Sequence, residues 1–122
     1  MIRGVGLDIC EVSRMAEAIG RPRFLERFFS GEEQAYIRSK GQTAPQTAAG
    51  LFAAKEAFLK ALGTGIDSLA LSEIGDTHDA SGAPRYRLTG RYAALADRAW
   101  LSVTHDGGVA AAVCVLEGER QE

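Results

Sequence analysis

The stretch AGLFAAKEAFLKALGTGI, residues 49–66, constrains the fold more than any other part of this chain. Its apolar residues recur at helical spacing and no proline interrupts them. The pattern predicts a helix over about residues 46–62, with Gly63 standing where a C-terminal cap belongs. Leu51, Ala54, Phe58 and Leu62 fall in one narrow stripe, so that stripe faces the core. Lys55 lies at its margin, where a long side chain can reach out to water. Glu56 and Lys60 are one turn apart, with Ala49 and Ala53 above them. That face is small-walled and carries one carboxylate and one ammonium. By itself it reads as an ordinary i,i+4 pair on a solvated helix. With a second charged element nearby, the alanines read instead as clearance for a substrate.

The first residues supply such an element. A strand is expected over residues 2–12, with Val5, Leu7 and Ile9 on one face and Gly4, Gly6, Asp8 and Cys10 on the other. Gly4 and Gly6 have no side chains, so another backbone or a ligand can come close there. Asp8 sits in the most apolar setting of the first third and requires a partner, either an internal arginine or a metal.

Short helices are expected over residues 11–19, 23–29 and 30–39. The last is opened by a capping box in SGEE at Ser30, and KGQTAPQT, residues 40–47, is a loop. Beyond the long helix, strands are expected at residues 69–78, 84–88, 99–105 and 109–117. DASGAP and DGG are turn signals, and Thr89 stands as a cap for a helix over residues 89–99. Residues 118–122 read as a frayed tail. This order predicts an α+β fold, an antiparallel sheet with a long central helix packed on it.

At 122 residues the chain suits one domain, residues 1–122. A net charge of −2 argues against general nucleic-acid binding. No apolar run approaches the roughly 18 residues of a membrane span, and the N-terminus lacks a signal peptide's pattern. Cys10 and Cys114 show no metal or redox spacing, so they read as thiols in a reducing, cytoplasmic setting. Eleven arginines against three lysines favour bidentate contacts to carboxylate or phosphate.

Two carboxylates from different elements, Asp8 and Glu56, suit Mg²⁺, which takes one or two carboxylates and fills its other positions with water and phosphate. Two histidines and two scattered cysteines offer no zinc ligand set. His105 stands at a strand end before the DGG turn, and a histidine there is either structural or part of a site. His78 reads as surface. GTGI after the helix is either a phosphate-binding nest or only a cap, and the helix dipole at this end has the wrong sign for an anion.

GVGLDICEVSR, FAAKEAFLKALGTGI and LSVTHDGGVAAAVCVLE, in that order and spacing, resemble the holo-acyl-carrier-protein synthases. These are the small, single-repeat members of the phosphopantetheinyl transferase superfamily, and the resemblance covers essentially the whole chain. It implies an α+β fold related to ferredoxin-like sandwiches. It also implies Mg²⁺-dependent transfer of phosphopantetheine from coenzyme A to a serine of apo acyl carrier protein, in fatty acid biosynthesis. On this resemblance Asp8 and Glu56 are metal ligands, Lys60 faces the phosphates, and His105 contacts coenzyme A from a neighbouring subunit of a homotrimer. Asp8, Glu56, Lys60 and His105 are the catalytic candidates; Lys60, Gly65, His105 and Lys40 are those for coenzyme A. Arg14, Arg21, Arg23 and Arg27 cluster where the family docks its acidic carrier, with Met15 and Phe24 adding apolar contact.

Three positions depart from the family pattern or extend it. Leu51 replaces a common arginine that helps hold phosphate; either Arg38 or Lys40 substitutes for it, or affinity for coenzyme A is weaker. Val109 stands where many relatives carry tyrosine. Asp106 directly follows His105 and is a secondary candidate. The competing readings are a transferase for polyketide or peptide carrier domains, and a trimer that binds coenzyme A or a carrier without transfer.

Overall fold

The computed structural model describes residues 1–65 and 70–118. Its elements are β1 (Ile2–Glu11), α1 (Val12–Ile19), α2 (Phe24–Phe28), α3 (Gly31–Arg38), α4 (Ala44–Leu62), β2 (Ile74–His78), β3 (Pro84–Leu88), β4 (Ala99–Asp106) and β5 (Val109–Glu117). The sheet that carries the site is antiparallel, in the order β1-β5-β4. β2 and β3 form a separate hairpin. The fold is the expected α+β arrangement, with α4 lying across the β1-β5-β4 sheet.

Why β1 and α4 lie so close follows from two glycines. A Cβ built on Gly6 would stand 1.8 Å from the Ala57 carbonyl oxygen, and one on Gly4 would stand 1.9 Å from that of Ala61. Strand and helix backbones therefore touch. Ala53 and Ala57 are 0 % exposed, and Ala49 is equally buried. These alanines make room for the sheet and not for a substrate, which corrects the expectation drawn from the small-walled face. The other face of β1 is open: Ile2, Val5, Leu7 and Ile9 remain 58–65 % exposed.

α4 begins two residues earlier than the periodicity suggests. Pro45 sits in its first turn, where a missing N–H costs nothing. Gly63 closes the helix at φ 86°, and the N–H groups of Gly63 and Thr64 both return to the Leu59 carbonyl at 3.0 Å. Lys55 does not snorkel. It is 1 % exposed, whereas Leu62, expected in the core stripe, is only half-buried.

The capping box forms at Ser30, and the β4–β5 hairpin turns through Gly107 and Gly108 at φ 58° and 81°, as a two-residue primed turn requires. The helix expected over residues 89–99 is only a 3₁₀ segment, Gly90–Leu95. Thr89 does not cap it; its hydroxyl donates to the Glu73 carbonyl at 3.3 Å. The strand expected from residue 69 begins at Ile74, after a 3₁₀ turn at Leu71–Glu73; residue 69 lies outside the described residues, as do residues 119–122 of the tail.

Gly6→Ala should lower the denaturation midpoint by the equivalent of about 1–3 kcal/mol, because neither backbone can give way. Gly31→Ala, with nothing within 4 Å of its added methyl, should leave the midpoint unchanged or higher. Urea unfolding of both variants measures the contrast.

Candidate active site

The β1–α4 contact brings Asp8 beside the solvent-facing end of α4. Asp8 is 8 % exposed. Its Oδ1 accepts from Lys60 Nζ at 2.8 Å, and the same ammonium donates to the Leu7 carbonyl at 3.2 Å. Asp8 Oδ2 is buried with no hydrogen-bond partner. Such an atom is costly unless something fills its place. The partner foreseen as an internal arginine is thus Lys60, and it satisfies only one oxygen.

Glu56, one turn before Lys60, is half-buried and faces Asp8. Burial, then the adjoining Asp8 carboxylate and its charge, push its carboxyl up to about 8, against the opposing pull of Lys60. Lys60 is shifted up by its bond to Asp8 and by that charge. Two carboxyls thus stand near one ammonium, which bonds only Asp8, and Glu56 is biased toward its protonated form. A divalent cation would replace that proton and occupy the unpaired oxygen, so the donor set fits Mg²⁺. Among the described residues no group of three or more His, Cys, Asp or Glu is placed to hold a metal. The remaining positions would fall to water and substrate oxygens. Cys10, on the same face, has its thiol raised to about 11, chiefly by burial and then by Glu56 and Asp8. That shift disfavours the thiolate form that a metal ligand or nucleophile uses.

Glu56 opens into a cleft of about 430 Å³, whose lining includes Cys10, Arg14, Met15, Arg21 and Phe24. Arg14 and Arg21 are exposed at this cleft. Arg23 is exposed and holds a left-handed φ of 66° before α2. Phe24 is half-buried, its ring 5.0 Å from Phe28 and 6.3 Å from Phe52. Met15 is 3 % exposed and belongs to the core. The expectation that it offers apolar contact to a partner is therefore corrected: its helix face turns inward onto α4.

His105 is not part of this cluster within one chain. It lies on β4, which β5 separates from β1. Its Nε2 accepts from the Gln46 side-chain amide at 3.2 Å, and it lines a second cleft of about 310 Å³ with Tyr36, Leu51, Asp76 and His78. Lys40 is exposed near this second cleft, its ammonium 4.5 Å from the Tyr36 ring centre. Leu51 is 7 % exposed there. Asp106 is exposed at the hairpin and paired across to Val109, away from Glu56. Gly65 is exposed with open space around it. The cap uses the Gly63 and Thr64 N–H groups, so they form no nest, and Ile66 lies outside the described residues.

Sequence reasoning missed the partnership of Lys55 with Glu33. Lys55 Nζ lies 2.7 Å from Glu33 Oε1, deep in the core. A signal for it was present: the residues one turn away from Lys55, namely Leu51, Phe52, Phe58 and Leu59, are all large and apolar. Asp76 was missed as well. Burial, and then Glu33, raise its carboxyl to about 6.

Residues 4–114 match the family model of the 4′-phosphopantetheinyl transferase superfamily. The chain is 44 % identical to the holo-[acyl-carrier-protein] synthase of Treponema denticola, over 97 % of this chain and 100 % of that protein. The solved synthase of Neisseria meningitidis superposes with a TM-score of 0.85 at 31 % identity, covering 97 % of this chain and 100 % of that one. That of Bacillus anthracis, solved in complex with CoA (3′,5′-ADP), superposes with a TM-score of 0.82 at 33 % identity, covering 98 % and 99 %. The chain belongs to the 4′-phosphopantetheinyl transferase superfamily and, within it, to the holo-[acyl-carrier-protein] synthase enzymes.

The Glu56 proton has a stability consequence. Between its ordinary 4.5 and about 8, the folded chain binds a proton that the unfolded chain has released. This group's contribution to stability therefore declines as pH rises through that window and levels off above it. The melting temperature of the metal-free protein should fall between pH 6 and pH 8, and Glu56→Gln should flatten that slope. Calorimetry across the window checks it; an unchanged slope in the variant would reject the assignment.

Proposed function

We propose that this chain transfers the 4′-phosphopantetheine group of coenzyme A to a serine hydroxyl of apo acyl carrier protein, releasing adenosine 3′,5′-bisphosphate. Asp8 and Glu56 hold the Mg²⁺ it requires. The observation that carries this reading is the convergence of the Asp8 and Glu56 carboxyls, one buried Asp8 oxygen left without a donor, with Lys60 alongside. The names of its relatives and their complexes with coenzyme A supply the substrates.

Bound Mg²⁺ would supply charge neutralisation for the diphosphate and for the leaving phosphate. Lys60, its side chain 56 % exposed, presents an ammonium to the phosphates while Asp8 fixes where it stands. Arg14 and Arg21 offer their guanidinium groups to an acidic carrier at the rim of the Glu56 cleft. We assign Glu56, or a water it holds, as the base for the serine proton. The setting is the cytoplasm, supported by two free thiols, and the product serves fatty acid biosynthesis.

The test is to incubate the protein with coenzyme A, Mg²⁺ and apo carriers of the fatty-acid, polyketide and peptide types, and to follow carrier mass. One phosphopantetheine should appear on the fatty-acid carrier, and Glu56→Gln should slow it by about 10²-fold or more. A gain confined to the other carriers favours the alternative transferase. No gain on any carrier leaves only a binding module.

The active unit is a homotrimer. β1 exposes Val5, Leu7 and Ile9 beside Val115, Val113 and Ala111 of β5, an apolar strip of the kind a further copy covers. His105 lies on the far strand of the same sheet, so the His105 cleft of one copy is the piece that completes the Asp8–Glu56 site of another. Leu7→Asp should yield monomers by light scattering, with an unchanged circular dichroism spectrum and little transfer. A trimer that survives this change would move the interface elsewhere.

A further inference from the structure

Glu33 is fixed twice. Its N–H donates to Ser30 Oγ at 3.2 Å, and its Oε1 accepts the Ser30 N–H at 3.1 Å. The same Oε1 accepts from Lys55 Nζ at 2.7 Å. Lys55 also donates to the Leu71 carbonyl at 2.9 Å and the Ile74 carbonyl at 2.6 Å, which places all three ammonium protons. The Phe29 ring centre lies 5.3 Å from the nitrogen. One atom thus joins α3, α4 and the entry to β2.

A buried ion pair of this kind adds little net stability, because desolvation offsets most of its attraction. What it does supply is direction. Lys55 precedes Glu56 in α4, and consecutive helical side chains point about 100° apart. Holding Lys55 toward α3 therefore holds Glu56 toward Asp8. The Ala57 and Ala61 carbonyls press on Gly6 and Gly4, so α4 is braced along a second line. A glutamate carboxyl stands about 6 Å from its helix axis, and a roll of about 10° moves it by about 1 Å. A misplacement of that size costs on the order of 10²-fold in rate.

We propose that Glu33, acting through Lys55, is a positioning residue that sets the roll of α4 and so places the Glu56 carboxyl opposite Asp8. The inference rests on the cation-dependent transfer proposed above.

Glu33→Gln retains an oxygen for the Ser30 N–H and removes the charge that holds Lys55. At a temperature where circular dichroism shows the variant folded, kcat should fall about 10-fold and half-saturation by Mg²⁺ should rise similarly. The KM for carrier should not move. Amide hydrogen exchange should quicken over residues 54–60. Leu95→Ala, which truncates a side chain packed on the core from the Gly90–Leu95 segment, serves as the control for stability loss alone. If Glu33→Gln changes kcat, Mg²⁺ dependence and exchange no more than a control of equal stability, the pair is only structural and the proposal falls. Should the glutamine variant fail to fold, Glu33→Asp, one methylene short, is read by the same measurements against the same outcomes. A wild-type protein that loads no carrier sinks the functional reading instead; faster exchange confined to residues 54–60 in the variant would still uphold the anchor.

Discussion

The backbone of β1 rests directly on the backbone of α4, and the arrangement of the candidate active site follows from that contact. Gly6 and Gly4 leave no Cβ between strand and helix, so the Ala57 and Ala61 carbonyls occupy the space that side chains would otherwise fill. The closeness lets a carboxylate on a strand and a carboxylate on a helix face each other without long side chains having to reach. Asp8, two residues along the strand from Gly6, meets Glu56 and Lys60 because α4 passes at that height. A bulkier strand face would push the helix away and separate the two carboxyls.

The site that results carries more negative charge than its one lysine can offset. Folding tolerates this by raising the Glu56 carboxyl above its ordinary range and leaving one Asp8 oxygen without a donor. Structures usually avoid both. A divalent cation bound there, as proposed, would relieve a cost already present in the folded chain. Lys60 differs from a surface helix lysine in the same way: it is tethered at one end of its reach by Asp8 and by the Leu7 carbonyl, and open to solvent at the other.

A second lysine on the same helix plays the opposite part. Lys55 is sealed among Glu33, two carbonyls and Phe29, with nothing left to offer a substrate. The two ammonium groups lie five positions apart in α4. One is held in the core by a buried carboxylate, the other at the mouth of a cleft, and together they define which way the helix faces. The open apolar strip of β1 and β5 adds a constraint of another kind, since it is the sheet face that no element among the described residues covers.

Much of this was legible in residue order. The length of α4, its glycine cap, the capping box at Ser30, the hairpin at Gly107 and Gly108, and the alternation that puts Asp8 with Gly4 and Gly6 all depend on neighbours a few positions away. Local rules are enough for such features, and they also singled out Asp8, Glu56 and Lys60. Other features depended on what lies opposite, which periodicity does not reveal. It can group Ala49, Ala53 and Ala57 on a face but cannot tell a sheet from a substrate as the thing that face meets. Likewise Met15 turned inward, and the helix over residues 89–99 shrank to a 3₁₀ segment as Glu73 Oε1 took the Arg91 N–H at 2.9 Å. Lys55 found its partner 22 residues away on α3. His105 was separated from Asp8 by an intervening strand. The sequence by itself determined the elements and the charged groups; only tertiary packing decided which groups meet, because that depends on contacts between residues far apart along the chain.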